Sequence, residues 1–224
     1  GGMLKIGAMT REVETEESIE VAKHFPIFAD VAKLIADPQV RNFGTLGGNL
    51  AHGDAANDQP AVMLALNASV EIAGLSGRRT VGIDDFFYGF YATAVQEGEI
   101  LTEISIPIPM GRSGNAYHKV ERKVGDYATG GVAVHLEFDE QRICTKAGIG
   151  LTNVNPTPLR AVRSEAALVG TSLNEEDIAS AAQYASEDCN PSSDLRGDID
   201  YKRHIIKAIT KKMINKAKQR AFNN

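Results

Sequence analysis

From Gly111 onward the chain changes its hydrophobic period once, and that single switch limits its architecture more than any motif does. Three segments of strand character come first: Ala116–Arg122, Val132–Phe138 and Ile143–Leu151. The last two are separated only by Asp139-Glu140-Gln141, so they pair as an antiparallel hairpin. Three helical segments follow. Pro158–Val169 is stopped by Gly170, a helix capped by Asn174 carries Glu175, Glu176 and Asp177 in its first turn, and Asp198–Ala221 is long. Runs of strands followed by runs of helices specify an α+β domain, here a three-stranded antiparallel sheet under a three-helix layer.

The first half reads differently. Leu4–Met9 is strand-like, Thr15–His24 and Ile27–Ile35 are helical, and Pro38 ends the second helix. Ala61–Ala68 has no polar face, which is the pattern of a buried helix. Ser69–Ala73 and Arg79–Ile83 form a hairpin around Leu75-Ser76-Gly77-Arg78, and Asp84 caps a short aromatic helix of Phe86, Phe87 and Tyr88, read as core. Ile100–Ile108 alternates as a half-buried strand. Pro107, Pro109, Gly111 and Gly114 then mark a boundary, giving two domains, 1–111 and 112–224.

Between the early helices and the apolar one lies Thr45-Leu46-Gly47-Gly48-Asn49, followed by the acidic stretch Asp54 to Asp58. Glycines let bare backbone N–H groups approach an anion, and consecutive N–H groups form a small concavity, a nest. The Thr45 hydroxyl and Asn49 amide add donors, while the carboxylates can accept from sugar or polyol hydroxyls. One reading is a nucleotide cofactor. The other is a tight turn, with Asp58 as an N-cap and Pro60 in the first helical turn.

Composition excludes some classes. The 224 residues carry a net charge of −5, which argues against a general nucleic-acid binder. No run is long enough to span a bilayer, and no signal peptide opens the chain. Cys144 and Cys189 are too few to ligate an iron–sulfur cluster and read as free thiols of a reducing cytoplasm. The five histidines are scattered, so hydrolytic and metal-centred chemistry finds no support. The last helix holds eight of the 24 basic residues, which reads either as a solvated face or as a docking face for an acidic partner.

Several segments together resemble one family. They are Ile6–Thr10, Ile35–Asn49, Lys123–Ala128, Ile149–Val154 and Thr157–Leu159. The family is the FAD-binding medium subunit of molybdenum hydroxylases, the carbon monoxide dehydrogenase, xanthine dehydrogenase and aldehyde oxidoreductase group. The resemblance implies a PCMH-type FAD subdomain followed by a carbon monoxide dehydrogenase flavoprotein C-terminal-like domain. It also implies an N-terminal subdomain whose own Gly-Gly loop holds the FAD pyrophosphate from the other side. No such loop occurs in this sequence, which opens with Gly1-Gly2-Met3, so the expectation is a truncated FAD cleft with Met3 as a start or truncation point.

The same resemblance assigns roles. Thr45, Gly47, Gly48 and Asn49 would face the diphosphate, with Asp58 and its neighbour Asp54 toward the ribityl side. Leu101 would give apolar contact, Lys119 would stabilise negative charge on reduced flavin, and Tyr127 would lie near the ring. From the residues alone, Lys119 is equally a surface strand lysine and Tyr127 a packed loop tyrosine. The implied partners are a large molybdenum-cofactor subunit and a small [2Fe–2S] subunit, in a hetero-oligomer. Electrons would pass from the clusters through FAD to an acceptor such as NAD or a quinone. The competing expectation is an assembly module that no longer binds FAD.

Overall fold

A computed structural model describes residues 2–223. The first half opens with strand β1 (Met3–Gly7) and six short helices: α1 (Glu12–Glu17), α2 (Ile19–His24), α3 (Ile27–Ala32), α4 (Pro38–Phe43), α5 (Leu46–His52) and α6 (Gln59–Ala65). The strands β2 (Ser69–Gly74), β3 (Gly77–Gly82), β4 (Phe87–Gly89), β5 (Ala92–Thr93) and β6 (Ile100–Pro107) complete it. β1, β6, β2 and β3 form an antiparallel sheet in that order.

Three expectations for this half need correction. Thr15–His24 is two helices, because Ser18 is extended and its hydroxyl accepts from the Val21 N–H, so it caps α2. Pro38 starts a helix instead of ending one. It occupies the first turn of α4 behind Asp37, whose carboxylate accepts from the Val40 N–H. The aromatic helix is absent: a 3₁₀ turn at Ile83–Asp85 leads into β4, which buries Phe86 and leaves Tyr88 exposed.

The second half contains β7 (Arg112–Val120), β8 (Gly130–Phe138), β9 (Cys144–Thr152) and β10 (Leu159–Arg160), then α7 (Val162–Leu168), α8 (Glu175–Asp188) and α9 (Ile199–Asn223). The α+β reading holds, with one more strand than expected. Leu159 and Arg160 pair with Leu151 and Gly150, so the sheet runs β10-β9-β8-β7 and the helix after Pro158 starts only at Val162. Alternation along β8 divides the molecule. Val132, Val134, Leu136 and Phe138 face a core shared with α9, while Ala133 belongs to the core of the first half.

The basic helix fits neither of its two expected readings completely. Lys202 is 1% exposed, with its ammonium 2.8 Å from Asp194. Lys216 and Arg220 both reach Asp30 of α3, at 2.8 and 2.6 Å. Burial pushes the Asp30 carboxyl up, but hydrogen bonds from Arg220 and Lys216 outweigh it and hold the group below its usual range. These cations therefore fasten the two halves together. Asn115 of β7 adds to the joint by accepting from the Ile27 N–H at 2.8 Å.

Candidate functional site

The site begins with α6. Every residue from Gln59 to Ala65 is buried, as the apolar pattern requires, and the helix lies directly on β9. Gly148 and Gly150 make that contact possible. A Cβ on either would come within 2.0 Å of a carbonyl oxygen of α6, that of Ala65 or of Ala61. The helix start, and Asp58 with it, is thereby fixed against the inner face of β7.

Asp58 does not cap α6 through its side chain. Its carboxylate turns to β7 instead, where Oδ1 accepts from the Tyr117 hydroxyl at 2.5 Å and Oδ2 from the Lys119 ammonium at 2.8 Å. Tyr117 and Lys119 are two residues apart on one strand, so they present to the same face. All three are buried, so Lys119 is no surface lysine. Burial pushes the Asp58 carboxyl up against the opposing charge of Lys119, and burial together with Asp58 raises the Tyr117 phenol well above its usual range.

Lys119 also donates to the backbone oxygen of Asp126 at 2.9 Å, which draws in the loop between β7 and β8. Arg196 holds the Asp126 carboxylate at 3.1 Å from the other side. This loop carries Tyr127, which is half exposed. Asn49, Asp58, Lys119 and Tyr127 line one open cavity of about 260 Å³, together with Ile35 and Ala36. Four of the residues singled out in sequence thus converge from α5, α6, β7 and the loop after it.

The glycine segment is built differently from expectation. It is no free loop: Thr45 caps α5, its hydroxyl accepting from the Gly48 N–H at 3.1 Å. The Leu46 and Gly47 N–H groups donate to the carbonyls of Thr10 and Ala8, both at 2.9 Å. The nest is therefore already filled by the protein's own acceptors. Gly47 is required for packing, since a Cβ there would sit 2.5 Å from that of Ala8. Gly48 is exposed and leaves bare backbone at the surface.

Asp54 and Leu101 do not join the cavity. Asp54 accepts from the Ala56 N–H and the Tyr91 hydroxyl and borders a separate cavity of about 270 Å³ with Phe90 and Asn153. Leu101 pairs with Ile72 across the first sheet and packs on its core. Sequence reading missed Tyr117, whose i, i+2 spacing from Lys119 was the available signal. It also missed Glu12, which accepts from both Asn49 and Gln59 only in three dimensions.

Comparison with known proteins shows the family and the fold. Residues 1–109 match the FAD binding domain in molybdopterin dehydrogenase, and residues 115–217 match the CO dehydrogenase flavoprotein C-terminal domain. The chain belongs to the FAD-binding medium subunits of the molybdenum hydroxylases. It is 43% identical to the carbon monoxide dehydrogenase medium chain of Hydrogenophaga pseudoflava, over 97% of this chain and 75% of that one. It is 35% identical to the 6-hydroxypseudooxynicotine dehydrogenase complex subunit alpha of Paenarthrobacter nicotinovorans, over 97% and 74%. A solved carbon monoxide dehydrogenase from Hydrogenophaga pseudoflava, lacking the Mo-pyranopterin moiety of its cofactor, superimposes with a TM-score of 0.94 at 45% identity, covering 98% of this chain and 76% of that chain. Members of this medium-subunit family are parts of oxidoreductases, and FAD is the family's cofactor.

Proposed function

We propose that this medium subunit holds FAD with Asn49, Asp58, Lys119 and Tyr127 and passes electrons between a [2Fe–2S] partner subunit and an external acceptor. The observation that carries the reading is the convergence of these four residues on one cavity at the joint between the two halves. Its volume lies just below the roughly 300 Å³ at which pockets begin to enclose small ligands, which suits one portion of a dinucleotide with the rest outside.

The residues present fit such a group. Each oxygen of Asp58 takes one donor from the protein and keeps acceptor capacity for a ribityl-side hydroxyl. Lys119, whose ammonium lies 2.8 Å from Asp58 in the cavity lining, would stabilise the negative charge of a reduced flavin. Tyr127, half exposed, lines the same cavity and would pack against the cofactor there. The Thr45 hydroxyl beside Asn49 would donate to the diphosphate, while the Gly48 N–H is already bonded to Thr45. Gly47 serves by packing, and Asp54 and Leu101 act outside this portion. When bound, FAD supplies the redox chemistry, and the protein contributes position, electrostatics and water exclusion.

By analogy with its relatives, the chain works beside a large molybdenum-cofactor subunit and a small [2Fe–2S] subunit. Its buried free thiols, Cys144 and Cys189, suit the cytoplasm, and among the described residues no helix is long and apolar enough to cross a membrane. One observation favours the second reading, an assembly module without FAD: the first N–H groups of α5 are already bonded within the protein. A visible absorption spectrum after incubation with FAD and desalting separates the two. A retained, shifted flavin band supports the flavoprotein reading, and a colourless protein leaves the assembly module.

A further inference from the structure

Behind the cavity wall lies a buried carboxyl that the proposed cofactor contacts do not use. Glu12 opens α1 and is 2% exposed. Its Oε2 accepts from the Gln59 amide at 2.7 Å and its Oε1 from the Asn49 amide at 3.4 Å. No ion pair among the described residues includes it. Arg11 at the helix start is taken by Glu14, Arg41 of α4 by Glu16, and His24 of α2 by Glu20. Asp30 of α3 is held by Lys216 and Arg220, and His52 at the far end of α5 lies near Asp54. The charge that acts on Glu12 most is that of Asp58, of the same sign.

The cluster is also short of donors. The amide oxygens Oδ1 of Asn49 and Oε1 of Gln59 are both buried without a partner. An unpaired buried acceptor is costly, and an ionised carboxyl beside two of them makes the deficit worse. One added proton removes the uncompensated charge and supplies a donor for one of the two amide oxygens. A neutral Glu12 donates to an amide oxygen once that amide has turned about its own axis, and the uncompensated charge disappears.

We propose that Glu12 is a positioning residue that takes up a proton when the anionic cofactor binds, fixing the Asn49 side chain in the cavity wall. The inference rests on the FAD reading above. An anionic diphosphate beside Asn49 disfavours a second negative charge behind it, and by linkage a protonated Glu12 favours the diphosphate equally. Burial, assisted by Asp58, already pushes the Glu12 carboxyl from 4.5 to about 7, so the exchange falls near neutral pH.

The experiment is a titration of this chain with FAD by flavin fluorescence at pH 6.0, 7.0 and 8.5, repeated calorimetrically at pH 7 in two buffers of different ionisation enthalpy. Wild type is expected to bind about tenfold more weakly at pH 8.5 than at pH 6.0, with net proton uptake. Glu12→Gln, which keeps shape and hydrogen bonding without charge, is expected to bind tightly and almost independently of pH. Its thermal unfolding curve checks that it folds. Equal pH profiles for the two proteins, both binding FAD, would overturn the role of Glu12 and leave the FAD reading intact. No binding by either protein at any pH would instead remove the FAD reading, and this inference with it.

Discussion

Two walls of the same cavity each bury a carboxyl, and they treat it in opposite ways. On the β7 side, Asp58 meets the ammonium of Lys119 and the hydroxyl of Tyr117. On the α1 side, Glu12 meets only the amides of Gln59 and Asn49. Both groups lose water, but only the first recovers charge compensation. Burial pushes both carboxyls up, and the difference lies in what opposes it, a cation for Asp58 and only amides for Glu12. Asp58 is held in a fixed network that spans the two halves, whereas Glu12 is left close to the point where a proton changes its charge.

Removing Lys119 tests that comparison most severely. Lys119→Met strands the Asp58 charge in the joint and is expected to cost about 3–5 kcal/mol in denaturant unfolding. Adding Asp58→Asn should return part of the loss, because it removes the stranded charge beside the substitution while Glu121, 3.5 Å from Lys119, stays without its cation. If the double variant is as unstable as the single one, the network is not an ion pair of this kind.

Glu12→Gln should act in the other direction. The folded-state carboxyl lies at about 7, above its usual 4.5, so the native state binds the proton more tightly than the unfolded chain. Wild-type stability is therefore lowered above pH 7 and recovers as the pH falls toward 4.5. At pH 8 the substitution should stabilise by up to about 3 kcal/mol, at 1.36 kcal/mol per pKa unit, with the gain vanishing near pH 4.5. Unfolding midpoints measured across that range decide it, and a constant difference between the two proteins would make the Glu12 environment ordinary. The smallest effect belongs to Tyr117→Phe, which removes one hydrogen bond from Asp58 and leaves Lys119 in place. A loss of about 1–3 kcal/mol is expected from chemical denaturation. A loss as large as that from Lys119→Met would mean that the phenol, and not the ammonium, governs this wall.

Much of the fold was legible. The apolar run Ala61–Ala68 could only be buried, and α6 is. Asn174 before three acids announced α8, where its side chain accepts from the N–H groups of Glu176 and Asp177. The hairpin of β8 and β9 followed from a short polar turn. Three of the misses share one cause: Ser18, Pro38 and Thr45 can each end or begin a helix, and a local pattern does not say which. The resemblance pointed to nine residues, of which Asn49, Asp58, Lys119 and Tyr127 line one cavity while Thr45, Gly47, Gly48, Asp54 and Leu101 do not.

The sequence by itself determined most of the longer helices and strands, that the second half was α+β, and which polar residues stood near the glycine segment. Those properties depend on period, caps and neighbours a few positions apart. Only the tertiary structure decided that the N–H groups of Leu46, Gly47 and Gly48 are bonded within the protein, that Lys216 and Arg220 clamp Asp30, and that Glu12 lies without a cation behind Asn49. Each of these depends on which distant group completes a hydrogen bond or a charge pair, and that is fixed by the packing of α5, α6 and α9 against segments far away in the chain.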